Sequence, residues 1–411
     1  MATPEKLSTE SYKGVRDFYP EDQALLSYLT ATMRDTVKRF GYAEYHASVL
    51  EPAELYRGKT SDEIVNEQTY TFTDRGGREV TLRPEMTPTV ARMVAAKKRE
   101  LAFPLRWYSI PNVFRYERPQ RGRLREHWQL NVDLFGVKEV HAEVEMMTVA
   151  SELMRAFGAR ENDFVIRINN RRALNRLFGE YNLSPEDEKK LRRLIDQKDK
   201  IKDFDDKARE LLGRPLVFSD EEDPEVSQIR QELSALGIDN TVFDPTLVRG
   251  FDYYTGIVFE VFDTDPQNNR SLFGGGRYDN LLELFGHDSV PAVGFGMGDV
   301  TIRDFLEVRG LLPAYTPPAR VAIVTAADST IPYALTLAKD LRSQGVACTV
   351  NLSDKKLADQ LKNAGKQNIP YALFVGDKEI ASGSFVVRDL ASGSEKELSR
   401  EQLHSFFLNL G

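Results

Sequence analysis

The sequence contains almost no cysteine and little histidine. Its one cysteine, Cys348, excludes an intrachain disulfide and a cysteine-rich zinc site. Its five histidines include no His-x-x-x-His pair, so we predict no metal-binding residues. A run of about 18 apolar residues is also missing, and residues 1–6 lack the apolar core of a signal peptide. These absences predict a cytoplasmic protein that does not enter a membrane.

The composition is that of a globular protein with more than one domain. The chain has 411 residues, which is enough for two or three domains. Hydrophobic residues make up 41% and charged residues 29%, as in ordinary globular proteins. The net charge of −8 argues against non-specific coating of nucleic acid, although it permits a local basic surface.

The pattern of residues 1–316 predicts an α+β domain. Apolar residues at helical spacing predict a helix over 27–41, and alternation predicts a strand over 42–50. Residues 69–83 have the pattern of a hairpin that turns at Gly76-Gly77. Further strands are predicted at residues 105–110, 126–135, 163–169, 256–262 and 290–297. Strands joined by hairpins and long loops indicate an antiparallel sheet with flanking helices.

A charged segment and a proline-rich linker divide the chain. Residues from about 173 to 240 carry a capped helical pattern among lysines and aspartates, which predicts a helical insertion in the first domain. Residues 312–318 read as a linker. Beyond it, strands and helices alternate over 319–411, which predicts a small α/β domain. That domain has no Gly-x-Gly-x-x-Gly or Walker sequence, so nucleotide binding there has no support.

Residues 115–125 are rich in arginine and are called the arginine loop below. Its arginines surround a Pro/Gly turn between two predicted strands, and they are Arg115, Arg118, Arg121, Arg123 and Arg125. Guanidinium groups are permanent cations that bind phosphate through paired donors, although a solvated basic loop is the alternative. Gln129, Asn131 and Asp133 alternate on the strand that follows, so they share one face. We interpret that face as the floor of a site for a small amino compound.

Residues 247–262 place Arg249 and two adjacent tyrosines, Tyr253 and Tyr254, before an alternating apolar strand. A turn at the mouth of a strand can present a fixed cation and two hydroxyls to one small ligand. The ordinary structural explanation is a buried tyrosine pair with one surface ion pair.

Three shorter segments are also candidates for the site. Glu85 and Thr87 lie at the start of a predicted helix, where simple capping is the alternative. Tyr278 follows three glycines, which let the backbone approach a ligand but also occur in plain loops. Residues 292–298 have glycine at every second position, which predicts a bare strand face with room for a flat ring.

Together these segments resemble the histidyl-tRNA synthetases, a family of class II aminoacyl-tRNA synthetases, over nearly the whole chain. Residues 14–20 are similar to the family's N-terminal segment, and residues 114–117 with the arginine loop resemble class II motif 2. Residues 249–254 and 274–279 resemble the two histidine-specific signatures, which are the most specific matches. The tail resembles the family's anticodon-binding domain. The fold implied is the class II antiparallel sheet with flanking helices, followed by an α/β domain of the anticodon-binding type.

The resemblance implies an aminoacyl-tRNA ligase. Histidine and ATP would give histidyl-adenylate, and the histidine would then pass to the 3′ end of tRNA(His). The implied partners are tRNA(His), histidine and ATP with Mg²⁺, and the chain would form a homodimer.

Each matching residue receives an implied role from the resemblance. Arg115 would hold the α-phosphate of ATP, Glu117 would bind the adenine amino group, and His127 would stack on adenine. The histidine-binding set would be Glu85, Thr87, Gln129, Asp133, Tyr254 and Tyr278, with Tyr254 and Tyr278 reading the imidazole. Arg249 would stabilise charge during adenylate formation, together with Arg115. Arg121 and Arg123 would contact the acceptor end of the tRNA.

The sequence departs from the family pattern at two positions. Class II motif 3 normally ends in an arginine that clamps the γ-phosphate, and Thr301 stands at that position. Arg303 lies about 200° further round a helix and is no obvious replacement. Ser48 occupies the motif 1 proline position. The lost arginine keeps open a non-catalytic, histidine-sensing regulator similar to the synthetase-like subunit of ATP phosphoribosyltransferase. A synthetase of another amino acid and a nucleic-acid-binding accessory protein are further alternatives.

Overall fold

The computed structural model describes residues 7–57, 68–120, 122–196, 198, 201–219, 221–248, 253–268 and 270–409. The chain forms two compact units, Met1–Pro313 and Ala314–Gly411. The boundary between them falls inside the predicted linker. The domain assignment made from the sequence stays a prediction.

Most strands of the first unit belong to one large sheet. The strands of this unit are β1 (Ala43–Glu44), β2 (Leu50–Pro52), β3 (Tyr70–Thr73), β4 (Glu79–Leu82), β5 (Leu105–Ser109), β6 (Asn112–Phe114), β7 (Glu126–Phe135), β8 (Phe164–Asn170), β9 (Thr241–Phe243), β10 (Ile257–Asp263), β11 (Ser271–Arg277) and β12 (Ala292–Gly298). Among the described residues, the large sheet runs β1-β5-β7-β12-β11-β10-β8-β9, with β6 also paired to β7, and β2-β4-β3 form a small second sheet. The central pairings are antiparallel, whereas β1 and β9 add parallel edges.

Helices cover the large sheet and form the insertion. The helices of the first unit are α1 (Pro20–Arg39), α2 (Glu54–Arg57), α3 (Thr87–Lys97), α4 (His141–Ala156), α5 (Arg171–Gly179), α6 (Pro185–Asp196), α7 (Phe204–Leu212), α8 (Pro224–Ala235) and α9 (Asp299–Val308). Buried Leu29, Met33 and Val37 of α1 join the main core with the apolar residues of α4. Helices α5 and α6 share a separate small core around Phe178, Leu191 and Ile195.

Two elements differ from the prediction for physical reasons. Helix α1 begins at Pro20 rather than residue 27, because proline at the first helical position is already set for the helix. The strand predicted over residues 42–50 is broken into β1 and β2. Between them, the Arg83 guanidinium donates hydrogen bonds to the carbonyls of Ala47 and Ser48, which replaces strand pairing there.

The second unit is a small α/β domain. Its strands and helices are β13 (Val321–Thr325), α10 (Ile331–Ser343), β14 (Cys348–Val350), α11 (Leu357–Lys366), β15 (Tyr371–Val375), α12 (Asp377–Ser382), β16 (Ser384–Asp389), β17 (Glu395–Ser399) and α13 (Arg400–Leu408). The sheet order is β14-β13-β15-β16-β17, with the first three strands parallel and the last two antiparallel. The predicted fold class is confirmed for both units. Within the described part of the chain, no helix has the length and apolar character needed to cross a membrane.

Candidate active site

Glycines on β12 let side chains of β7 lie across the middle of the large sheet. Gly294 lies opposite Asp133, and Gly298 lies opposite Gln129. A Cβ built on Gly294 would lie 2.5 Å from Asp133 Oδ1, and one built on Gly296 would collide with the Gln129 amide. A Cβ at Gly294 would also lie 2.7 Å from the backbone carbonyl oxygen of Val132, so glycine is required there, whereas at position 296 the Gln129 side chain could move aside. The room predicted for a flat ring over this face is occupied in part by the β7 side chains.

Asp133 is a buried carboxylate with one unpaired oxygen. The Tyr278 hydroxyl donates a hydrogen bond to Oδ1, whereas the buried Oδ2 has no hydrogen-bond partner among the described residues. Desolvation raises the pKa of Asp133 to about 7, although the bond from Tyr278 acts in the opposite direction. An unpaired buried charge is costly, so a cationic group of a ligand would gain most at this oxygen.

Tyr253 joins the helix start at Glu85 to the other buried tyrosines. Its hydroxyl donates a hydrogen bond to Glu85 Oε2 at 3.0 Å and lies 3.4 Å from Thr87 Oγ1. Its ring lies 4.9 Å from the ring of Tyr254 and 5.9 Å from that of Tyr278. Burial and the nearby Glu85 hold the pKa of Tyr253 well above its ordinary value, so the hydroxyl stays protonated. We call the following residues the tyrosine cluster: Glu85, Thr87, Asp133, Tyr253, Tyr254 and Tyr278.

The turn that carries Glu85 also anchors the arginine loop. Arg83 is buried, and its Nε donates a hydrogen bond to the carbonyl of Asn112 at 2.9 Å. The carbonyl of Pro84 accepts a hydrogen bond from Arg115 Nε, also at 2.9 Å. Arg115 is therefore fixed beside the tyrosine cluster at the point where the arginine loop begins.

Arg125 holds the far end of the arginine loop instead of facing a ligand. Its Nε donates to the carbonyl of Glu117 at 3.2 Å, and its guanidinium lies 4.0 Å from the ring centre of Tyr116. Its backbone N–H donates to the carbonyl of Gly14 at 2.7 Å. The structure thus corrects the expectation that all five arginines are available to phosphate, because the N-terminal segment covers this one.

The tip of the arginine loop carries a half-exposed ion pair. Arg123 Nη1 lies 3.5 Å from Glu117 Oε2, and the Arg123 side chain is 54% exposed. Backbone hydrogen bonds of 3.1 and 2.9 Å between Gln120 and Arg123 close the tip. Arg121, which the sequence places beside Arg123, lies outside the described residues.

His127 lies on β7 next to the arginine loop. Desolvation, assisted by the Arg115 cation, lowers the pKa of His127 to about 3, so its ring is neutral at physiological pH. A Cβ built on Gly298 would lie 3.7 Å from His127 Cδ2 and 3.9 Å from Thr301 Oγ1. The Thr301 hydroxyl donates a hydrogen bond to the carbonyl of Leu272 at 2.6 Å. A neutral ring with a glycine beside it suits stacking on a flat base.

The residues after the glycine strand bind other parts of the chain. Asp299 Oδ2 pairs with Arg16 Nη2 at 2.7 Å, and its Oδ1 accepts a hydrogen bond from the backbone N–H of Trp128 at 2.9 Å. Arg303 lies 3.7 Å from Asp22 of α1. Asp299 therefore ties the N-terminal segment to β7, and Arg303 is directed to α1.

A buried ion-pair network holds the backbone around Tyr278. Arg277 Nε and Nη2 donate to the two carboxylate oxygens of Glu143, each at 2.6 Å. Arg277 Nη1 donates to Asp279 Oδ1 at 3.2 Å, and Asp279 Oδ2 accepts from Thr255 Oγ1 at 3.2 Å. The two residues that flank Tyr278 are thus both fixed from behind.

The described residues form two groups that share β7 and the turn at Pro84. The first group is the tyrosine cluster, whereas Gln129 and Asn131 of the predicted floor lie nearer the start of β7 and bond to each other. The second contains Arg115, Glu117, His127 and Arg123 of the predicted nucleotide and tRNA contacts. Arg249, predicted to be catalytic, lies outside the described residues. Tyr253 is central to the cluster, although the resemblance gave it no role and the sequence offered it only as one of two adjacent hydroxyls.

Comparison with known proteins shows what this arrangement is similar to. Residues 14–299 match the family model for histidyl-tRNA synthetase, and residues 320–410 match an anticodon-binding domain. The histidine–tRNA ligase of Leptospira biflexa is 42% identical over 95% of both chains. That of Opitutus terrae is 36% identical over 96% of this chain and 97% of its own.

Solved structures share the fold. The histidyl-tRNA synthetase of Nostoc sp. PCC 7120 superposes with a TM-score of 0.77 at 23% identity, covering 98% of this chain and 99% of its own. The apo enzyme of S. aureus gives 0.75 at 24% identity, covering 97% and 100%. From the family match and the extent of identity to these relatives, the chain belongs to the histidyl-tRNA synthetase family.

Proposed function

We propose that this chain is a histidine–tRNA ligase. In the first step, a carboxylate oxygen of histidine attacks the α-phosphorus of ATP, and pyrophosphate leaves. In the second step, a ribose hydroxyl at the 3′ end of tRNA(His) attacks the acyl carbon, and AMP leaves. The observation that carries the proposal is Asp133, a buried carboxylate with an unpaired oxygen beside Tyr278, which suits a small cationic substrate. The 42% identity to a named histidine–tRNA ligase supports the same activity.

The tyrosine cluster and Gln129 are proposed to bind histidine. Asp133 and Glu85 supply negative charge for the α-amino group, and Thr87 and Gln129 satisfy the other polar atoms of the substrate. Tyr254 and Tyr278 are proposed to read the imidazole. Supporting this division, Tyr278 already donates to Asp133, and Tyr253 already donates to Glu85, so the hydroxyls and carboxylates are oriented before a substrate arrives.

The arginine loop and His127 are proposed to bind ATP. Arg115 would hold the α-phosphate, since its Nε bond to Pro84 fixes the guanidinium beside the histidine-binding group. Glu117 would accept a hydrogen bond from the adenine amino group, and the neutral His127 ring would stack on adenine. Arg121 and Arg123 are proposed to contact the acceptor end of the tRNA.

Mg²⁺ is proposed to arrive on the phosphates of ATP. Enzymes usually bind Mg²⁺ through one or two carboxylates together with substrate phosphates, because the ion keeps several of its waters. In the part of the chain that the structure describes, no group of three His, Cys, Asp or Glu side chains could hold a metal ion. The ion would neutralise charge on the phosphates.

Arg249 is proposed to stabilise the transition state of adenylate formation. This role rests on the sequence signature at residues 249–254 alone. A planar, permanent cation is suited to charge that develops between a carboxylate and a phosphate.

We further propose a cytoplasmic homodimer. Leu50 of β2 and Phe72 of β3 are 44% and 49% exposed on the small second sheet, so this sheet offers apolar surface to a second copy. Sedimentation of the purified chain at micromolar concentration tests the proposal, and a monomer mass would contradict it.

The test of the function is histidine-dependent exchange of pyrophosphate into ATP. We expect exchange that requires histidine and Mg²⁺, followed by charging of tRNA(His). Folded protein that shows no exchange at saturating histidine would contradict the enzyme proposal. The alternative of a histidine-sensing regulator is not favoured, because the relatives named as ligases match 95% of this chain and residues 320–410 match an anticodon-binding model.

A further inference from the structure

Arg270 is held in a defined position by buried polar groups behind it. Its Nε donates a hydrogen bond to Asn268 Oδ1 at 2.9 Å. Asn268 Nδ2 in turn donates to Asp263 Oδ2 at 2.7 Å, and both Asn268 and Asp263 are buried. Asp263 also pairs with Arg309 through its other oxygen at 2.5 Å. The Arg270 guanidinium is therefore positioned by a chain of contacts that does not involve the tyrosine cluster.

The other side of the Arg270 guanidinium faces the arginine loop. Gly122 in that loop has φ of +78°, and a Cβ built on it would collide with Arg270 Nη1. Arg270 Nη2 lies 3.4 Å from Asp304 Oδ2 of α9. A cation 148 residues away in sequence is thus packed against the backbone of the loop that is proposed to bind ATP.

The strand register places Arg270 at the same end of the sheet as His127. Phe273 pairs with Met297, and Gln129 pairs with Gly298, so Leu272, Gly298 and Gln129 form one row across the sheet. Arg270 precedes Leu272 by two residues, just as His127 precedes Gln129 by two.

In the proposed ATP site, adenylate formation needs positive charge near Arg115 and His127. As pyrophosphate leaves, negative charge grows on the oxygen that joined the α- and β-phosphates, and fixed guanidinium donors stabilise it. Thr301 is neutral, and its hydroxyl is bonded to the carbonyl of Leu272. Arg303, the next arginine along α9, lies beside Asp22. Arg270 is the described arginine that reaches the loop from the adjacent end of β11.

We infer that Arg270 binds the β- and γ-phosphates of ATP and stabilises the departing pyrophosphate. The inference rests on the proposed ligase function. Asn268 and Asp304 act as positioning residues, because they set the plane of the guanidinium between the loop and α9. Gly122 keeps space for that plane, since any side chain at this position would displace it.

The experiment compares Arg270→Gln with the unchanged chain in histidine-dependent pyrophosphate exchange. We expect the KM for ATP to rise by about tenfold or more and kcat to fall by about 10- to 100-fold. The KM for histidine should stay within about twofold, since the tyrosine cluster is untouched. Arg270→Lys should recover part of the loss, because it keeps the charge but loses the paired donors.

A ligand without β- and γ-phosphates separates phosphate binding from a structural role. Histidyl-sulfamoyl-adenosine imitates the adenylate and has no β- or γ-phosphate that could accept hydrogen bonds from Arg270. Its affinity should therefore change by less than about twofold in Arg270→Gln. Arg303→Gln is the matched control and should leave both ligands unaffected. An unchanged KM for ATP, or an equal loss of affinity for both ligands, would overturn the inference. Absence of exchange in the unchanged chain would instead overturn the proposed function.

Discussion

The tyrosine cluster and the arginine loop differ in how far their charged side chains are exposed to water. In the cluster, carboxylates such as Asp133 and Glu85 are only 3% and 2% exposed, and each is bonded to a tyrosine hydroxyl. In the loop, the Arg123 side chain is 54% exposed and its partner Glu117 lies 3.5 Å away. Water screens a charge of the second kind, but it cannot screen one of the first.

This difference sets what each region can discriminate. A buried hydrogen-bonding site rejects a ligand that leaves its polar groups unpaired, so the cluster suits recognition of one amino acid. Exposed guanidiniums attract phosphate by charge with little dependence on the base, so the loop suits the ligands common to all members of the class. Substitutions should therefore have large effects in and behind the cluster and small effects at the exposed tip of the loop, where Arg123 lies.

The largest effect is expected behind the cluster, at Glu143→Ala. This change removes the carboxylate that pairs with two nitrogens of the buried Arg277 guanidinium and leaves it the longer pair with Asp279, and breaking such a buried pair typically costs about 3–5 kcal/mol of folding free energy. Urea unfolding at pH 7 measures the loss. Glu152→Ala is the matched control on the same helix, because its pair with Arg155 is more than a third exposed. It should cost about 0–1 kcal/mol, and similar losses for the two variants would remove the distinction between buried and exposed pairs.

Asp133→Asn should weaken function while stabilising the fold. Loss of a buried charge that faces the substrate ammonium is expected to cost about 2–5 kcal/mol, which is roughly 30-fold or more in the histidine KM of exchange. The asparagine Oδ1 can still accept a hydrogen bond from the Tyr278 hydroxyl, so the cluster should keep its geometry. A normal histidine KM in this variant would show that Asp133 does not meet the substrate.

The stability of Asp133→Asn should depend on pH in a defined direction. Burial raises the pKa of Asp133 to about 7 in the folded state, against about 4 when unfolded. As pH rises through this range, the unfolded carboxyl ionises first, so the unchanged protein loses stability that the amide variant keeps. The variant should be more stable by up to about 4 kcal/mol at pH 8, and the difference should vanish near pH 4. A difference independent of pH would contradict a buried ionised carboxylate.

Local sequence patterns predicted the strands of the site. They could not predict contacts between residues that are distant in the sequence. Alternation predicted a glycine face on the strand that is β12 and a polar face on the strand that is β7, because strand geometry has period two. It could not show that the Asp133 side chain lies against Gly294, since these two residues are on different strands and are distant in the sequence. Burial of Arg125 depends on residues near Gly14, and the position of Arg270 depends on Gly122. Neither contact leaves a trace in local sequence.

The same limit explains why the sequence did not identify the contact of Tyr253 with Glu85. The sequence cannot tell which of the two adjacent tyrosine hydroxyls reaches Glu85, on a segment 168 residues away. The folded structure resolves the choice through one bond of 3.0 Å.

Tyr253→Phe should have an intermediate effect. It removes the hydroxyl that donates to Glu85, and a hydrogen bond to a charged group contributes about 1.5–3 kcal/mol. We expect the KM for histidine to rise by at least about tenfold and the KM for ATP to stay unchanged. Tyr108→Phe removes a similar bond to Glu44 outside the cluster and should alter neither constant. Equal changes in both constants for Tyr253→Phe would indicate a general loss of structure.

The smallest effect on folding and on adenylate formation is expected at Arg123→Ala. The side chain is more than half exposed and its ion pair is long, so stability should change by less than about 0.5 kcal/mol. Pyrophosphate exchange should remain within about twofold, since the proposed phosphate ligands Arg115 and Arg270 are retained. Charging of tRNA should fall, and the salt dependence of its KM should weaken by about 0.7 in logarithmic slope if one single-strand phosphate contact is lost. Arg78→Ala, an exposed arginine paired with Asp74, should change neither reaction. A cation that contacts RNA phosphate releases counterions when it binds. An unaltered charging rate and salt slope for Arg123→Ala would therefore show that the loop tip is solvated surface that does not contact the tRNA.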